Sequence, residues 1–377
     1  MEGARVERKN RWRRIGARAL TVLGALLLLV SVGANFVERQ ALENAEVEET
    51  ARLLIADPVV RGHVATSLAD ELYEAVDVRA ELRRALPQDQ QVLAGVIAGA
   101  LRPLSERIAG ELLERPRFQD AWVDAISRVH EQVILVLDDK ARFVETEGNA
   151  VVVDLRPVLD ELTQRLPITR RLAEKLPEHA GVFTLFEVNQ LETAQQGVRV
   201  LRVVADWLWV LVLLAWAGAV YLAPSRRLEV RAIAISITVL GLLVLLARRV
   251  VGNYVVDELS TSTADDDAIH RAWDIITRLL ADAGWAAIAI GVVAWLGAWL
   301  VGPGARATAA RSWLAPSLRS PGITYGTAAL GFLVLVVWGP IAYVERPLTL
   351  LVFAVLAGVG IEVLRRTALR ESGASEP

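Results

Sequence analysis

The sequence predicts a mainly α membrane protein: six transmembrane helices, with a mostly helical extracytoplasmic domain carrying a small β-hairpin or three-stranded sheet between the first two. Three observations carry this expectation. Hydrophobic residues make up 54% of the 377-residue chain, with a mean hydropathy of +0.38, while 23% of residues are charged, so the two kinds must be segregated. Near-continuous apolar runs fall at about 19–36, 203–223, 232–251, 283–302, 323–343 and 348–364, each close to the ~17–25 residues that a helix needs to cross hydrocarbon. The connections between runs alternate in charge.

Residues 1–18 form a basic cytoplasmic N-terminus, with seven basic residues against two acidic ones. By the bias of cationic loops towards the cytoplasm, this keeps the N-terminus inside. The run at 19–36 is the first span; Val32 and Ala34 would also suit a signal-peptide cleavage site, but the run is long and leads directly into an amphipathic helix, which favours a retained anchor. Among the later connections, "SRRLEVR" (225–231), the loop 302–322 with Arg306, Arg311 and Arg319, and the tail 365–377 with "RRTALR" share the inner side. The acidic loop 252–275 and the short "VERP" (344–347) fall outside. Both termini are then cytoplasmic, residues 201–364 form a five-helix transmembrane domain, and the protein belongs in a bacterial plasma membrane. Trp207 and Trp209, Trp285 and Trp299 mark span ends at headgroup depth, and Trp313 suits the membrane surface.

Residues 37–200 are far too many for a connection and enough for a domain. Asp57 and Pro58 open a helix with Val60, Val64 and Leu68 at helical spacing, and Asp77 opens another. Two longer helices meet at Pro116 as an antiparallel pair, with Val92, Leu93, Val96, Ile97 and Leu101 facing Trp122, Ile126, Val129, Val133 and Leu137. Alternation around "EGN" predicts a hairpin of 142–146 with 150–154, and 181–188 is a third strand. A last helix from about Asn189 runs into the second span.

The segments "ADPVVRGHVATSLADELYEAVDV", "FQDAWVDAISRVHEQVILVL", "GNAVVVDLRPVLDEL" and "FTLFEVNQLETAQ", in this order, resemble a family of uncharacterised actinobacterial multi-pass membrane proteins with a helical extracytoplasmic domain between the first and second spans. The resemblance covers about residues 10 to 302, implies an envelope membrane protein, and carries over no active-site residue. Basic charge is almost all arginine, which fits a GC-rich bacterial genome.

Composition and motifs argue against several functions. A net charge of −3 offers no basic field for nucleic acid, and no phosphate-loop or zinc-finger pattern occurs. Cysteine is absent, so thiolate metal sites and disulfides are ruled out. His63, His130, His179 and His270 show no metal-ligand spacing with one another, and no serine sits in a nucleophile elbow. Asp265, Asp266, Asp267 and His270 could hold a divalent cation, but a capped helix start from Ser262 or Thr263 explains the acids more simply. No catalytic, cofactor or metal residue is expected. Gly284, Gly291 and Gly297 suit close helix packing. The expected function is therefore that of a non-catalytic envelope protein whose extracytoplasmic domain binds, senses or scaffolds an envelope protein or lipid; the alternative is a transporter or its accessory subunit.

One pair of residues stands against the charge pattern. Arg248 and Arg249 close the third run at its outer end, and the uncharged stretch before them, 232–247, spans only ~24 Å as a helix. They either reach along their stems to lipid phosphates, or pair with a carboxylate of the ectodomain or the 252–275 loop, with Asp206 at the edge of the second span as the expected partner. Arg248, Arg249 and Asp206 are the candidate lipid or inter-domain contacts.

Overall fold

The computed structural model describes residues 2–75, 78–87, 90–138, 146–147, 150–154, 182–260 and 263–319, with the single positions 326, 358 and 362. The expected fifth and sixth spans, Asp77 and nearly all of the strand expected at 142–146 lie outside them. The described part is nearly all helical. In chain order come α1 (Glu2–Leu42), α2 (Asn44–Ala56), α3 (Pro58–Ala75), α4 (Val78–Ala85), α5 (Ala94–Glu114) and α6 (Pro116–Leu137). Three short strands follow, β1 (Thr146–Glu147), β2 (Ala150–Asp154) and β3 (Val182–Glu187), paired antiparallel in the order β1-β2-β3. The rest is α7 (Val188–Leu222), α8 (Arg226–Leu259), α9 (Thr263–Ile276), α10 (Arg278–Leu300) and α11 (Ala305–Arg319).

Among the described residues four helices are long and apolar enough to cross a membrane: Asn10–Leu42, Glu192–Leu222, Arg226–Leu259 and Arg278–Leu300. In the most apolar stretch of each, only 17–33% of residues are buried inside the protein, which leaves most of their hydrophobic surface uncovered, Leu26, Leu214, Leu246 and Val293 among it. In water such a surface would be strongly unfavourable; in hydrocarbon it has no cost.

The chain divides into two compact units. The first takes Met1–Phe36, Val203–Val250 and Arg278–Pro377; the second takes Val37–Arg202 and Val251–Thr277.

In the first unit α1 and α7 run antiparallel. Asn35 Nδ2 donates to Ala205 O at 3.2 Å near one end, and Arg13 Nε to Leu222 O at 3.2 Å at the other. Between them Trp216 lies over Gly24, where no larger residue would fit, and its indole N–H donates to Thr21 O at 3.4 Å. Helices α8 and α10 pair antiparallel through small residues. Gly241 meets Gly284, Ala234 meets Gly291 and Arg227 meets Ala298, so each step of seven residues down α8 is matched by seven up α10. A repeat of seven is the spacing that keeps one seam facing a partner helix. Gly284 and Gly291 pack as expected from their size, but a side chain at Gly297 would meet none of the described residues, so Gly297 lies off the seam.

In the second unit α2 packs mainly along α6 and α3 along α5. This corrects the expected α5–α6 pairing: Val96 is 70% exposed and Leu93 51%, while the core is Ile55, Ala65 and Leu113, flanked by Val64, Ala109, Phe118 and Trp122. The apolar stripe on α5 is broader than what is buried: Ala94, Ala98 and Leu113 are inside, whereas Leu93, Val96, Leu104 and Ile108 are exposed. Asp57 and Arg115 are both extended because a proline follows each. Asp57 then caps α3, its Oδ1 accepting from Val59 N at 2.9 Å and Val60 N at 3.1 Å, as its sequence position predicts.

The stretch 252–275 is not a loop. Helix α8 runs straight through Arg248 and Arg249 to Leu259, and α9 follows at once and packs on α3 and α2. Apolar Val251, Val255 and Val256 continue the helical spacing past the arginines, so the cations interrupt the hydropathy of the helix and leave its backbone continuous. Likewise, the connection 302–322 contains helix α11.

Candidate functional site

The predicted contacts all fall in the first unit. Arg248 is half-buried and Arg249 exposed on α8; Asp206 is exposed on α7. The helix bearing the two arginines is 34 residues long, ~51 Å by the α-helical rise, so the short uncharged run does not limit its reach.

A second set of arginines escaped the sequence reading. A helix leaves its last four carbonyls without partners, and cations are favourable there. Arg13 donates to Leu222 O at the end of α7, and Arg227 Nε donates to Ala298 O near the end of α10 at 3.1 Å. Arg311 of α11, only 2% exposed, donates through one nitrogen to both Leu300 O and Gly302 O, the latter at 2.7 Å, and through its other terminal nitrogen to Thr308 Oγ1. The residues read as topology signals therefore also complete helix ends. The available signal was position: Arg13 and Arg227 lie within two turns of an apolar run's boundary, and Arg311 lies nine residues past one. Glu229, in the first turn of α8, accepts from the buried Thr21 hydroxyl of α1 at 2.6 Å and ties the two antiparallel pairs together.

Arg231 differs from these. Its guanidinium lies over the Trp295 ring, 5.7 Å from the centroid, within the ~6 Å range of a cation–π contact. Beside it an apolar groove is lined by Ile235, Thr238, Val239, Val292 and Trp295.

In the second unit His63 of α3 reaches Asp265 of α9, Nδ1 to Oδ1 at 3.4 Å, with side chains 35% and 18% exposed. Asp265 and Asp266 stand in the first turn of α9; Ser262 lies outside the described residues and Thr263 is already helical. His130 of α6 bridges the break between α1 and α2, its Nε2 donating to Ala41 O at 3.0 Å and its Nδ1 2.7 Å from Asn44 Oδ1. Both histidines thus join helices within the unit. Arg61 does the same at the next break, donating to Ala56 O at 3.0 Å and pairing with Glu114 at 3.3 Å. Among the described residues no three His, Asp or Glu side chains gather as a metal site would need; His179 lies outside them. Compared with known proteins, the chain matches no family model, no curated protein and no solved structure.

Proposed function

We propose that the protein is a non-catalytic integral membrane protein of a bacterial envelope, in which the first unit is the membrane base and the second an extracytoplasmic domain that binds or scaffolds a partner. The observation that carries this reading is the composition of the second unit, in which Val37–Arg202 and Val251–Thr277 pack as one body while the apolar helices are assigned to the other. A segment between two spans that folds with the large insertion between two others must lie on the same side of the membrane as that insertion. On this reading the acidic 252–275 and the domain 37–200 share one side, and the charge pattern of the connections supports the outside for both, with both termini, the basic connection at 225–231 and α11 inside. Two further spans at 323–343 and 348–364, and a hairpin around 142–154 within the outer domain, complete the proposed six-span topology.

Single-cysteine labelling in this cysteine-free chain tests the sidedness. Ala100 and Ala309 are both exposed and serve well, whereas Ala307 is buried at 2% exposure and would be protected on either side. An impermeant maleimide added to intact cells should label Ala100→Cys and reach Ala309→Cys only after lysis. The opposite pattern refutes the topology and the extracytoplasmic assignment with it.

A further inference from the structure

We propose that the groove between α8 and α10 is a binding site for one anionic phospholipid, its acyl chain lying along Ile235, Val239 and Val292 and its phosphate meeting Arg231. The inference rests on the first unit being embedded in a bilayer, and it adds a ligand to that unit. Two independent features meet there. The groove is almost wholly apolar, and its outward residues Ile235, Val239 and Val292 are 49%, 47% and 41% exposed on helices whose surroundings are hydrocarbon, so a chain of methylenes is the occupant its chemistry fits. At its end stands a cation without a counter-ion among the described residues. Arg231 has no ion pair or hydrogen bond among the described residues, and its guanidinium lies over the ring of Trp295. The nearest carboxylate in sequence, Glu229, accepts from Thr21 on α1.

A guanidinium offers a phosphate the planar, bidentate recognition that a lysine ammonium does not. Arg227, one turn nearer the helix start on the same face of α8, donates through Nε to Ala298 O; its charge still adds to the positive field at the headgroup end, because that hydrogen bond neutralises nothing. Arg231 is the last charged residue before the apolar run from Ala232, which sets it at the depth of the headgroups. Two cations one turn apart at the headgroup end, neither ion-paired among the described residues, favour a lipid with net negative charge over a zwitterionic one.

The test uses the full chain reconstituted in nanodiscs of equal phosphatidylglycerol and phosphatidylcholine, released by native mass spectrometry and counted for retained lipid. Wild-type protein should retain one phosphatidylglycerol in preference to phosphatidylcholine, and Arg231→Gln should lower that preference about fivefold, the effect of one arginine at a membrane surface. Val239→Trp, which fills the groove from an exposed position without touching the cation, should displace the same lipid and keeps the test open if the arginine variant does not fold. Equal retention of the two lipids by wild type, or a preference unchanged in both variants, would mean annular lipid only and would overturn the site while leaving the membrane assignment intact. Failure of the wild-type chain to enter nanodiscs of any composition would remove both.

Discussion

Replacing Gly241 by alanine should loosen the α8–α10 pair, and the structure gives the size of the effect. A Cβ at position 241 would stand 2.6 Å from the carbonyl oxygen of Gly284, 2.8 Å from Ile288 Cγ1 and 3.0 Å from Ile288 N. Two of those three atoms are backbone, so no side-chain rotation relieves the clash. To reach the 3.4 Å at which ordinary contact begins, the helices must part locally by about 0.8 Å, and a gap of that order forfeits a quarter to a half of each neighbouring dispersion contact. Overpacking of this kind costs roughly 1–3 kcal/mol. The opposing term is the helix preference of alanine over glycine, ~1 kcal/mol. Gly297→Ala isolates it, because a Cβ there meets nothing within 4 Å on the same helix pair. Both variants share the propensity gain, so their difference reports the clash alone: Gly241→Ala should be less stable than Gly297→Ala by ~1–3 kcal/mol. Equilibrium unfolding in mixed micelles, following tryptophan fluorescence, measures it. Equal stability of the two variants would refute the seven-residue seam.

The buried Arg311 should be intolerant of change: methionine strands the carbonyls of Leu300 and Gly302, costing about 1–3 kcal/mol for buried acceptors left unpaired, and lysine should fall between wild type and methionine in the same unfolding assay. Methionine as stable as arginine would show that the helix end does not need its cap. For the candidate pair, the half-buried Arg248 and the exposed Arg249 should separate. Lysine at 249 should be neutral, as for a cation reaching to lipid, while Arg248→Lys should destabilise and couple to Asp206→Asn by at least about 0.5 kcal/mol in a double-mutant cycle. Coupling below that value would leave only the lipid role for both.

What the sequence revealed depended on how local the cause was. The apolar runs behind α1, α7, α8 and α10 are properties of single segments, and so is the Asp57 cap, whose acceptor and donors sit two and three residues apart. The pairing of helices is not. Amphipathic stripes on α5 and α6 say that each helix is buried somewhere, and sequence adjacency suggested that they bury each other, yet α2 and α3 are their principal partners. The same limit hid the capping arginines: positions 227 and 311 were read for their sign of charge, whereas their acceptors, Ala298, Leu300 and Gly302, are set by which helix end the fold brings near. The error at 252–275 had a different origin. Hydropathy measures where a helix can enter lipid, and it was used to say where a helix ends; Arg248 and Arg249 break the first and not the second.

The packing of α9 on α2 and α3 has a consequence for biosynthesis. The partners of α9 have been made by residue 75, but α9 itself begins at Thr263 and the unit closes only at Thr277. At about 5–20 residues per second, the 75 residues from Arg202 to Thr277 take the ribosome roughly 4–15 s. During that interval the α3 face that will carry α9, His63 included, is open to solvent. A nascent chain arrested before α9 should therefore be more sensitive to protease at α3 than one arrested after Thr277, and a chaperone acting on this protein has its opening in that window.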